Sequence, residues 1–257
     1  MSRPGLKNNT TSWEKISHWY DQNLGSKGDY YHQKIIIPQS LRLLNLSQDS
    51  SLVDLACGQG ILARSLPASI RYLGLDISPS LIKTARQLDS NPNHKYQIAD
   101  ITKDLSIKPT FSHACIILAF QNLAKPFALV RNATSLLLPQ GKLLLVLNHP
   151  CFRLPQHSDW GFDSTRHVQY RRLDRYLSSF SVGIASHPHH HLEENQETPS
   201  FHHSLSAIFE MLTDNSLAIT KLEEWVSDKK STGGRAQAEN FARSEFPLFL
   251  SLLCQKP

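Results

Sequence analysis

The sequence has 257 residues, of which 40% are hydrophobic, and a formal net charge of +5. This length suits one large α/β domain with room for a subdomain, and no uninterrupted apolar run approaches the roughly 20 residues of a membrane span. The basic residues are scattered and do not alternate with aromatic ones, which does not favour a nucleic-acid partner. The four cysteines have no paired spacing and the N-terminus lacks an apolar signal segment, so we predict a reduced, cytoplasmic protein.

The N-terminal part is predicted to begin with a disordered stretch, residues 1–12, which is polar and without periodicity. Residues 13–23 and 30–46 then show the apolar spacing of two helices, the second with a kink or restart at Pro38. These segments carry Tyr20, Tyr30, Tyr31 and His32. Aromatic side chains at such positions usually anchor helices on a sheet.

Residues 51–60, SLVDLACGQG, combine a short apolar strand, an acid and two glycines. Gly58 and Gly60 allow a tight turn and a close approach of a ligand to the main chain. Residues 61–66 are predicted to begin a helix that Pro67 ends. The order of strand, glycine loop and helix predicts a nucleotide-like ligand, but the same residues also fit a dinucleotide fingerprint.

Two acids narrow the choice of ligand. Asp54 lies near the carboxyl end of the first strand, where it suits a ligand with a cationic end better than a pyrophosphate. Asp76 ends the next apolar run, where a carboxylate can accept hydrogen bonds from both ribose hydroxyls. Either residue has a purely structural alternative, as a loop or capping aspartate.

The remaining pattern alternates strands and helices. The predicted strands are 71–76, 95–99, 112–120, 142–147 and 218–224, with an apolar run at 246–253, and the predicted helices are 78–88 and 127–138. The last two strands are joined by a polar stretch that reads as a loop, residues 225–242, which predicts an antiparallel pair with the reversed strand at the sheet edge.

The segments Val53-Asp54-Leu55-Ala56-Cys57-Gly58-Gln59-Gly60 and Gly74-Leu75-Asp76-Ile77-Ser78 resemble motif I and the following strand of class I S-adenosylmethionine-dependent methyltransferases. The resemblance is specific over about residues 50–150, and Ala56 stands where the family often has Gly. It implies a doubly wound, Rossmann-like α/β sheet of seven strands with an antiparallel last strand.

The resemblance also implies roles for individual residues toward S-adenosylmethionine, whose product is S-adenosylhomocysteine. Asp54 is expected at the ammonium end, and Asp76 at the ribose. Asp100, with Ile77 and Ile101, is expected to frame the adenine, although a helix cap or surface turn explains Asp100 equally well. The other expected cofactor-binding residues are Ala56, Gly58, Gly60, Ala119, Phe120 and Tyr31, and Gln121 is expected beside the sulfonium and the substrate. The resemblance further implies an N-terminal helical segment that closes over the cofactor, with Tyr20, Tyr30, Tyr31 and His32 as candidate lid residues.

His149 and Cys151 leave the fifth strand at its carboxyl end, where ligands bind in open α/β sheets. His149 is a candidate general base, because its unperturbed pKa lies near 6.5. Its alternative is a turn histidine bonded to the backbone. Cys151 could act as a thiol that adds to a pyrimidine ring, but the fuller motifs of such enzymes are missing.

Residues 151–200 form a long insertion rich in aromatic residues and arginines, which is typical of a lid or binding loop. A hairpin is predicted within 168–182. Arg153, with Arg171 and Arg172, hints at an anionic substrate, against the alternative of surface arginines. The histidine cluster 187–191 could hold a metal, but no matching ligand geometry accompanies it, so no metal is predicted. Further candidate substrate residues are Trp160, His202 and His203.

The sequence therefore predicts residues 13–257 to be a methyltransferase domain in which 151–200 act as a lid. The predicted reaction is methyl transfer from S-adenosylmethionine to an O, N or C nucleophile of a small molecule. Two alternatives stay open: a nicotinamide-dependent oxidoreductase, and a regulatory subunit that binds the cofactor without turnover. The oligomeric state and the acceptor atom are not predicted.

Overall fold

The structure is a computed structural model that describes residues 14, 25, 27–108, 110–185 and 197–257. The predicted disordered stretch 1–12, most of the predicted helix 13–23 with Tyr20, and the histidine cluster 187–191 lie outside these residues. Within the described part of the chain, no helix is long and apolar enough to cross a membrane.

The described residues form eleven strands and five α-helices. The strands are β1 (Ser51–Leu55), β2 (Arg71–Asp76), β3 (His94–Ile98), β4 (Phe111–Ile117), β5 (Leu137–Asn148), β6 (Ser158–Asp163), β7 (Val168–Leu173), β8 (Phe180–Ala185), β9 (Glu197–His202), β10 (Ala218–Trp225) and β11 (Phe249–Gln255). The helices are α1 (Ile37–Leu44), α2 (Pro79–Leu88), α3 (Pro126–Leu136), α4 (Leu205–Thr213) and α5 (Ala236–Glu245).

Seven strands make one sheet in the order β10-β11-β5-β4-β1-β2-β3. β1 to β5 pair in parallel, whereas β11 is antiparallel to both β5 and β10. This confirms the predicted doubly wound sheet with a reversed last strand. The predicted place of that strand was wrong, because β11 inserts between β5 and β10 and leaves β10 at the edge.

Both faces of the sheet are covered by helices. Helices α3 and α4 bury Leu129, Val130 and Ile208 on one face, and α1 and α2 bury Leu44 and Ile82 on the other. The central strands read as continuous apolar runs because both of their faces lie in these cores. The carboxyl ends of β1, β2, β4 and β5 therefore meet at one edge of the sheet, where the candidate site lies.

Before α1 the chain forms a π-helical segment, His32–Ile36, and the helix becomes regular at Ile37. The predicted restart at Pro38 falls at this change, because proline lacks the N–H that an interior helical residue donates. The predicted helix at 61–66 is absent: only a 3₁₀ turn forms there, Ala63–Ser65. Leu66 precedes Pro67 and is extended (φ −78°, ψ 151°), which leaves too few residues for an α-helix.

Two further predictions were wrong in the C-terminal half. Within the insertion, β6 pairs with β7 and β8 pairs with β9, both antiparallel. The predicted hairpin within 168–182 would have paired β7 with β8, and these two strands do not pair. The stretch 225–242, predicted as a loop, contains most of α5. That helix buries only Ala242 and exposes Phe241, so it lacks the apolar stripe by which a helix is recognised in sequence.

Candidate functional site

The glycine loop folds tightly against the ends of β1 and β2. Three residues of the loop have positive φ: Ala56 (65°), Gly58 (55°) and Gly60 (74°). The backbone N–H groups of Ala56 and Cys57 both donate to the carbonyl of Leu75, at 2.8 and 3.0 Å. Ala56 thus adopts the left-handed conformation that glycine enters at least cost, which explains why glycine suits this position in the family it resembles.

Asp76 connects the glycine loop to the start of α2. Its Oδ2 accepts a hydrogen bond from the Gly58 N–H at 2.9 Å, and its Oδ1 accepts one from the Ser78 N–H at 2.9 Å. Burial raises the pKa of this carboxyl, while these backbone donors oppose the shift. Each carboxylate oxygen retains a second lone-pair direction, so Asp76 can still accept hydrogen bonds from a ligand's hydroxyl groups.

Glu14 reaches the same edge of the site from the N-terminal segment. Its carboxylate accepts hydrogen bonds from the hydroxyls of Ser78 and Ser80, each at 2.5 Å. Ser78 also caps α2 by accepting from the Leu81 N–H at 3.2 Å. Glu14 therefore contacts the start of α2 close to Asp76, a contact that the sequence patterns did not indicate.

Asp54 is buried beneath the loop. Its Oδ2 accepts a hydrogen bond from the Tyr72 hydroxyl at 2.9 Å. Burial raises the pKa of Asp54 to about 6, against the opposing effect of the Tyr72 hydrogen bond. Asp54 is only 4% exposed. A cationic ligand group would therefore have to come close to its carboxylate or contact it through a bridging water.

Gly60 and Gly74 lie where an added Cβ would be too close to a neighbouring side chain. A Cβ on Gly60 would lie 2.8 Å from the Tyr96 hydroxyl, and one on Gly74 would lie 2.7 Å from Cys57 Sγ. The Tyr96 hydroxyl donates to Asp89 at 2.5 Å, which holds its ring beneath the loop. The close approach predicted at Gly60 is thus made by a tyrosine ring of the protein itself.

The three residues expected around the adenine are not equally placed to meet a ligand. Ile77 is half-buried. Asp100 accepts hydrogen bonds from Thr102 Oγ1 at 2.7 Å and Lys103 Nζ at 3.1 Å, which outweigh partial burial and lower its pKa. Ile101 lies in the core with its carbonyl bonded to Asn132, so its side chain has almost no surface for a ligand.

A small cavity of about 30 Å³ lies beyond the ends of β4 and β5, between the 3₁₀ turn Phe120–Asn122 and the start of α4. Phe120 is buried in the wall of this cavity, and its ring meets that of His203 edge to face at 6.2 Å. Ala119, which precedes it, is buried as well. The lining residues are Phe120, Gln121, Leu147, Asn148, Pro150, Arg153, Pro155, Ser200, Phe201, His202, His203 and Ile208.

Two polar atoms at this cavity lack a hydrogen-bond partner among the described residues: Gln121 Oε1 and His203 Nε2, both buried. The amide nitrogen of Gln121 donates to the Leu118 carbonyl at 2.8 Å, which leaves the oxygen as the free atom. Burial, and then the nearby His202, lower the pKa of His203. His203 is therefore neutral near pH 7 and able to accept a proton.

His149 and His202 are engaged by the protein. His149 Nε2 donates to Glu224 Oε1 at 2.7 Å, and its Nδ1 accepts from the Cys151 N–H at 3.2 Å. His202 Nε2 donates to the Tyr176 carbonyl at 2.7 Å. With both ring nitrogens of His149 occupied and its side chain 2% exposed, this geometry corresponds to the turn-histidine alternative and offers no free nitrogen to a substrate.

Arg153 lies at the mouth of the cavity. Its guanidinium donates to Asn148 Oδ1 at 2.6 Å and lies 5.6 Å from the centre of the Phe249 ring. Tyr31 packs edge-on against the same ring at 5.8 Å, with its hydroxyl 3.3 Å from Ser227 Oγ. Tyr31 therefore lies beside Arg153 and the cavity, whereas the resemblance implied a cofactor-binding role for it.

Trp160 lies apart from the cavity, on β6. Its ring packs against Phe246 at 5.3 Å and beneath the guanidinium of Arg171 at 5.0 Å. Arg171 also donates to the Phe152 carbonyl at 2.8 Å. These contacts fix the first hairpin to α5 and to the loop after β5, so Arg171 has a structural explanation in this molecule.

Residues 53–143 match the sequence family described as "Methyltransferase domain". An uncharacterised methyltransferase of Schizosaccharomyces pombe is 33% identical over 100 residues, which cover 35% of this chain and 38% of the relative. A ubiquinone biosynthesis O-methyltransferase of Xanthomonas euvesicatoria pv. vesicatoria is 29% identical over 98 residues, covering 37% of this chain and 41% of the relative. The chain thus spans about two fifths of the length of these relatives.

The fold is similar to the crystal structure of an S-adenosylmethionine-dependent methyltransferase of Mesorhizobium loti. The TM-score is 0.65 at 23% identity, over 90% of this chain and 100% of the other. Such a likeness concerns the fold, whereas the match over residues 53–143 concerns the segment that holds the glycine loop, Asp54 and Asp76. Residues 53–143 thus match a methyltransferase domain, and the fold of the described residues is similar to that of an S-adenosylmethionine-dependent methyltransferase.

Proposed function

We propose that the protein transfers the methyl group of S-adenosylmethionine to an O, N or C nucleophile of a small molecule. One observation carries the proposal: two differently built halves of a site meet at one edge of the sheet. The ends of β1 and β2 present Asp76 beside the glycine loop, and the ends of β4 and β5 enclose a small cavity with free polar atoms.

The residues of the first half fit the cofactor. Asp76 has lone pairs left for the two ribose hydroxyls, and a carboxylate there would discriminate against a phosphate at that position. Asp54 lies deeper, where a negative charge favours a cationic ligand end. When bound, S-adenosylmethionine supplies a methyl group that its sulfonium has already activated, so the protein's task is chiefly positioning and exclusion of water.

The residues of the second half fit an acceptor. Gln121 Oε1 and His203 Nε2 can each accept a hydrogen bond from a hydroxyl or amino group, and Phe120 forms an apolar wall beside them. The small cavity favours a small-molecule acceptor over a macromolecule. The relatives named O-methyltransferases support oxygen as the first nucleophile to test.

The cofactor is tested by calorimetric titration of S-adenosylmethionine and S-adenosylhomocysteine, with NAD as a third ligand. Wild type should bind the first two and not NAD. Asp76→Asn should bind them about 10- to 100-fold more weakly, because a hydrogen bond to a charged group contributes roughly 1.5–3 kcal/mol. Asp104→Asn is the matched control, since Asp104 is 95% exposed and pairs only with Arg131.

Thermal unfolding of the ligand-free variants shows whether Asp76→Asn still folds. If it does not, Asp76→Glu keeps both oxygens and displaces them by one methylene. Binding of NAD in place of S-adenosylmethionine would move the oxidoreductase to the front. Cofactor binding without release of S-adenosylhomocysteine in the presence of any acceptor would favour the regulatory subunit.

A further inference from the structure

The acceptor cavity brings together three polar side chains from three separate segments. Gln121 comes from the turn after β4, Arg153 from the loop after β5, and His203 from the residue after β9. Most polar side chains near the site are bonded to one another, as in the pairs His149 with Glu224 and Tyr72 with Asp54. Among the cavity-lining residues, by contrast, Gln121 Oε1 and His203 Nε2 have no hydrogen-bond partner in the described part of the chain.

Arg153 is the cation of this group. Among the described residues it forms no ion pair with a carboxylate, and Asn148, its side-chain partner, is neutral. Other arginines of the chain do have carboxylate partners: Arg42 pairs with Glu223, and Arg131 pairs with Asp104. Two of the five guanidinium N–H donors at most can be used by one amide oxygen, so several remain for a ligand.

The surroundings of Arg153 are concave and still open to water. Its side chain is solvent-exposed, yet burial is the leading cause that lowers its pKa. Both hold for a group on the wall of a cleft: protein surrounds it on several sides, and one side stays accessible. A guanidinium in such a cleft interacts more strongly with an anion than a surface arginine does.

Gln121 Oε1 and His203 Nε2 set the other end of the ligand. Both atoms are buried, and a buried polar atom without a partner costs roughly 1–3 kcal/mol. Gln121 Oε1 can only accept, so the group that satisfies it must carry a proton on oxygen or nitrogen. The volume of 30 Å³ corresponds to about two water-sized groups, so a polar head group enters and the remainder of the molecule stays at the opening.

We propose that the methyl acceptor is a small carboxylic acid that carries a hydroxyl or amino group, with its carboxylate bound by Arg153 and its O–H or N–H directed at Gln121 and His203. This inference rests on the proposed function. A single guanidinium matches the single negative charge of a carboxylate bidentately. A phosphate monoester, with close to two charges, would call for more cationic donors than the cavity lining provides.

The reaction balances with the residues present. The lone pair of the acceptor oxygen or nitrogen forms the new bond to the methyl carbon as the carbon–sulfur bond breaks. The electron pair of the broken carbon–sulfur bond stays on sulfur and gives S-adenosylhomocysteine. The proton of the acceptor passes to His203 Nε2 and then to water. His203 is thus assigned as the general base, in place of His149.

The experiment compares acids with their neutral analogues. Hydroxybenzoates, aminobenzoates and 3-hydroxy aliphatic acids are titrated by ligand-observed NMR into wild type saturated with S-adenosylhomocysteine, each beside its primary amide and its phosphate-bearing counterpart. We expect acids to bind at least tenfold more tightly than the amides. Arg153→Gln should abolish this preference, and Arg153→Lys should retain part of it.

Arg166→Gln is the matched control, because Arg166 lies in the same insertion and is 82% exposed; it should keep the full preference. Equal binding of acids and amides, binding of no acid, or tighter binding of the phosphates overturns the inference. Failure of S-adenosylhomocysteine itself to bind is a different result, which overturns the proposed function. Unchanged thermal unfolding of Arg153→Gln shows that a lost preference comes from the charge.

Discussion

The two halves of the site differ in how their polar side chains are held. At the ends of β1 and β2 both acids are hydrogen-bonded by the protein, since Asp76 accepts from Gly58 and Ser78 and Asp54 accepts from Tyr72, and only the buried Gln59 Nε2 of the glycine loop lacks a partner among the described residues. At the ends of β4 and β5, Gln121 Oε1 and His203 Nε2 have no hydrogen-bond partner in the described part of the chain. The acids of the first half are part of the framework of the fold, whereas we propose that the unpartnered atoms of the second half, which cost some stability, receive a ligand. Changes in the two halves should therefore be separable into effects on folding and effects on activity.

His203→Gln should produce the largest effect, and it should appear in catalysis alone. Loss of a general base lowers kcat by roughly 10²- to 10⁴-fold, while Gln replaces one polar side chain with another at a site where His203 Nε2 has no partner among the described residues, so the unfolding free energy should change little. In wild type the rate should rise with pH as His203 loses its proton, because the neutral form is the active one. Burial lowers the pKa of His203, so the midpoint of this rise should lie below pH 6.5.

The rate is measured as release of S-adenosylhomocysteine with whichever acid binds, in parallel with thermal unfolding. His149→Gln is the informative control: it should lower stability, since His149 bonds Glu224 and Cys151, and change kcat less. A greater loss of kcat in His149→Gln at equal stability would return the base to His149.

Gly60→Ala should produce the complementary effect, a loss of stability. Gly60 has φ +74°, and a Cβ would lie 2.8 Å from the Tyr96 hydroxyl. A left-handed alanine costs roughly 1–2 kcal/mol, and overpacking against a fixed ring costs roughly 1–3 kcal/mol more. Urea unfolding at equilibrium should therefore show the free energy of unfolding reduced by about 2–5 kcal/mol.

Gly234→Ala provides the comparison, because nothing lies within 4 Å of its added Cβ and the substitution should be close to neutral. If Gly60→Ala proved as stable as wild type, the tight contact between the loop and Tyr96 would be wrong. The glycine would then be explained by the cofactor alone.

Asp54→Asn should alter the pH dependence of stability. The pKa of Asp54 is raised from 3.8 to about 6 in the folded protein, so the folded state binds more protons than the unfolded state between these values. Its contribution to stability is fully present below about pH 4 and is lost as the pH rises through 6, a change of up to about 3 kcal/mol. Asn keeps an acceptor for Tyr72 and does not titrate.

The difference in unfolding free energy between wild type and Asp54→Asn should therefore shift in favour of Asn from pH 4 to pH 7. Titrating groups far from Asp54 contribute equally to both proteins and cancel, whereas the nearby charge of Asp76 raises the pKa of Asp54 and is part of the expected shift. A constant difference across this range would mean that Asp54 is ionised in the folded state at pH 4 and is more open to water than the structure indicates.

The sequence predictions succeeded for elements that local residue patterns decide and failed for elements that depend on contacts between distant parts of the chain. β2 was predicted with its bounds because a buried parallel strand is a local apolar run. α5 was missed because it buries only Ala242, so nothing in its pattern separates it from a loop. The pairing within the insertion was wrong because β6 to β9 are short, half-exposed strands whose register depends on turns and on packing. His149 was the preferred base because it follows β5, and no local signal shows that Glu224 and Cys151 occupy its ring.

The sequence by itself determined the α/β class and the resemblance to class I methyltransferases, because the strand, glycine loop and two acids lie within 26 residues of each other, from Ser51 to Asp76. Only the tertiary structure decided the insertion of β11 between β5 and β10, the packing of Tyr96 against Gly60, and the engagement of both ring nitrogens of His149, on which the proposal of His203 as the base rests. Those features depend on contacts between residues far apart in the chain, such as Arg153 with Phe249 and His149 with Glu224. Hydrophobic periodicity carries no information about which distant polar groups find partners and which are left free.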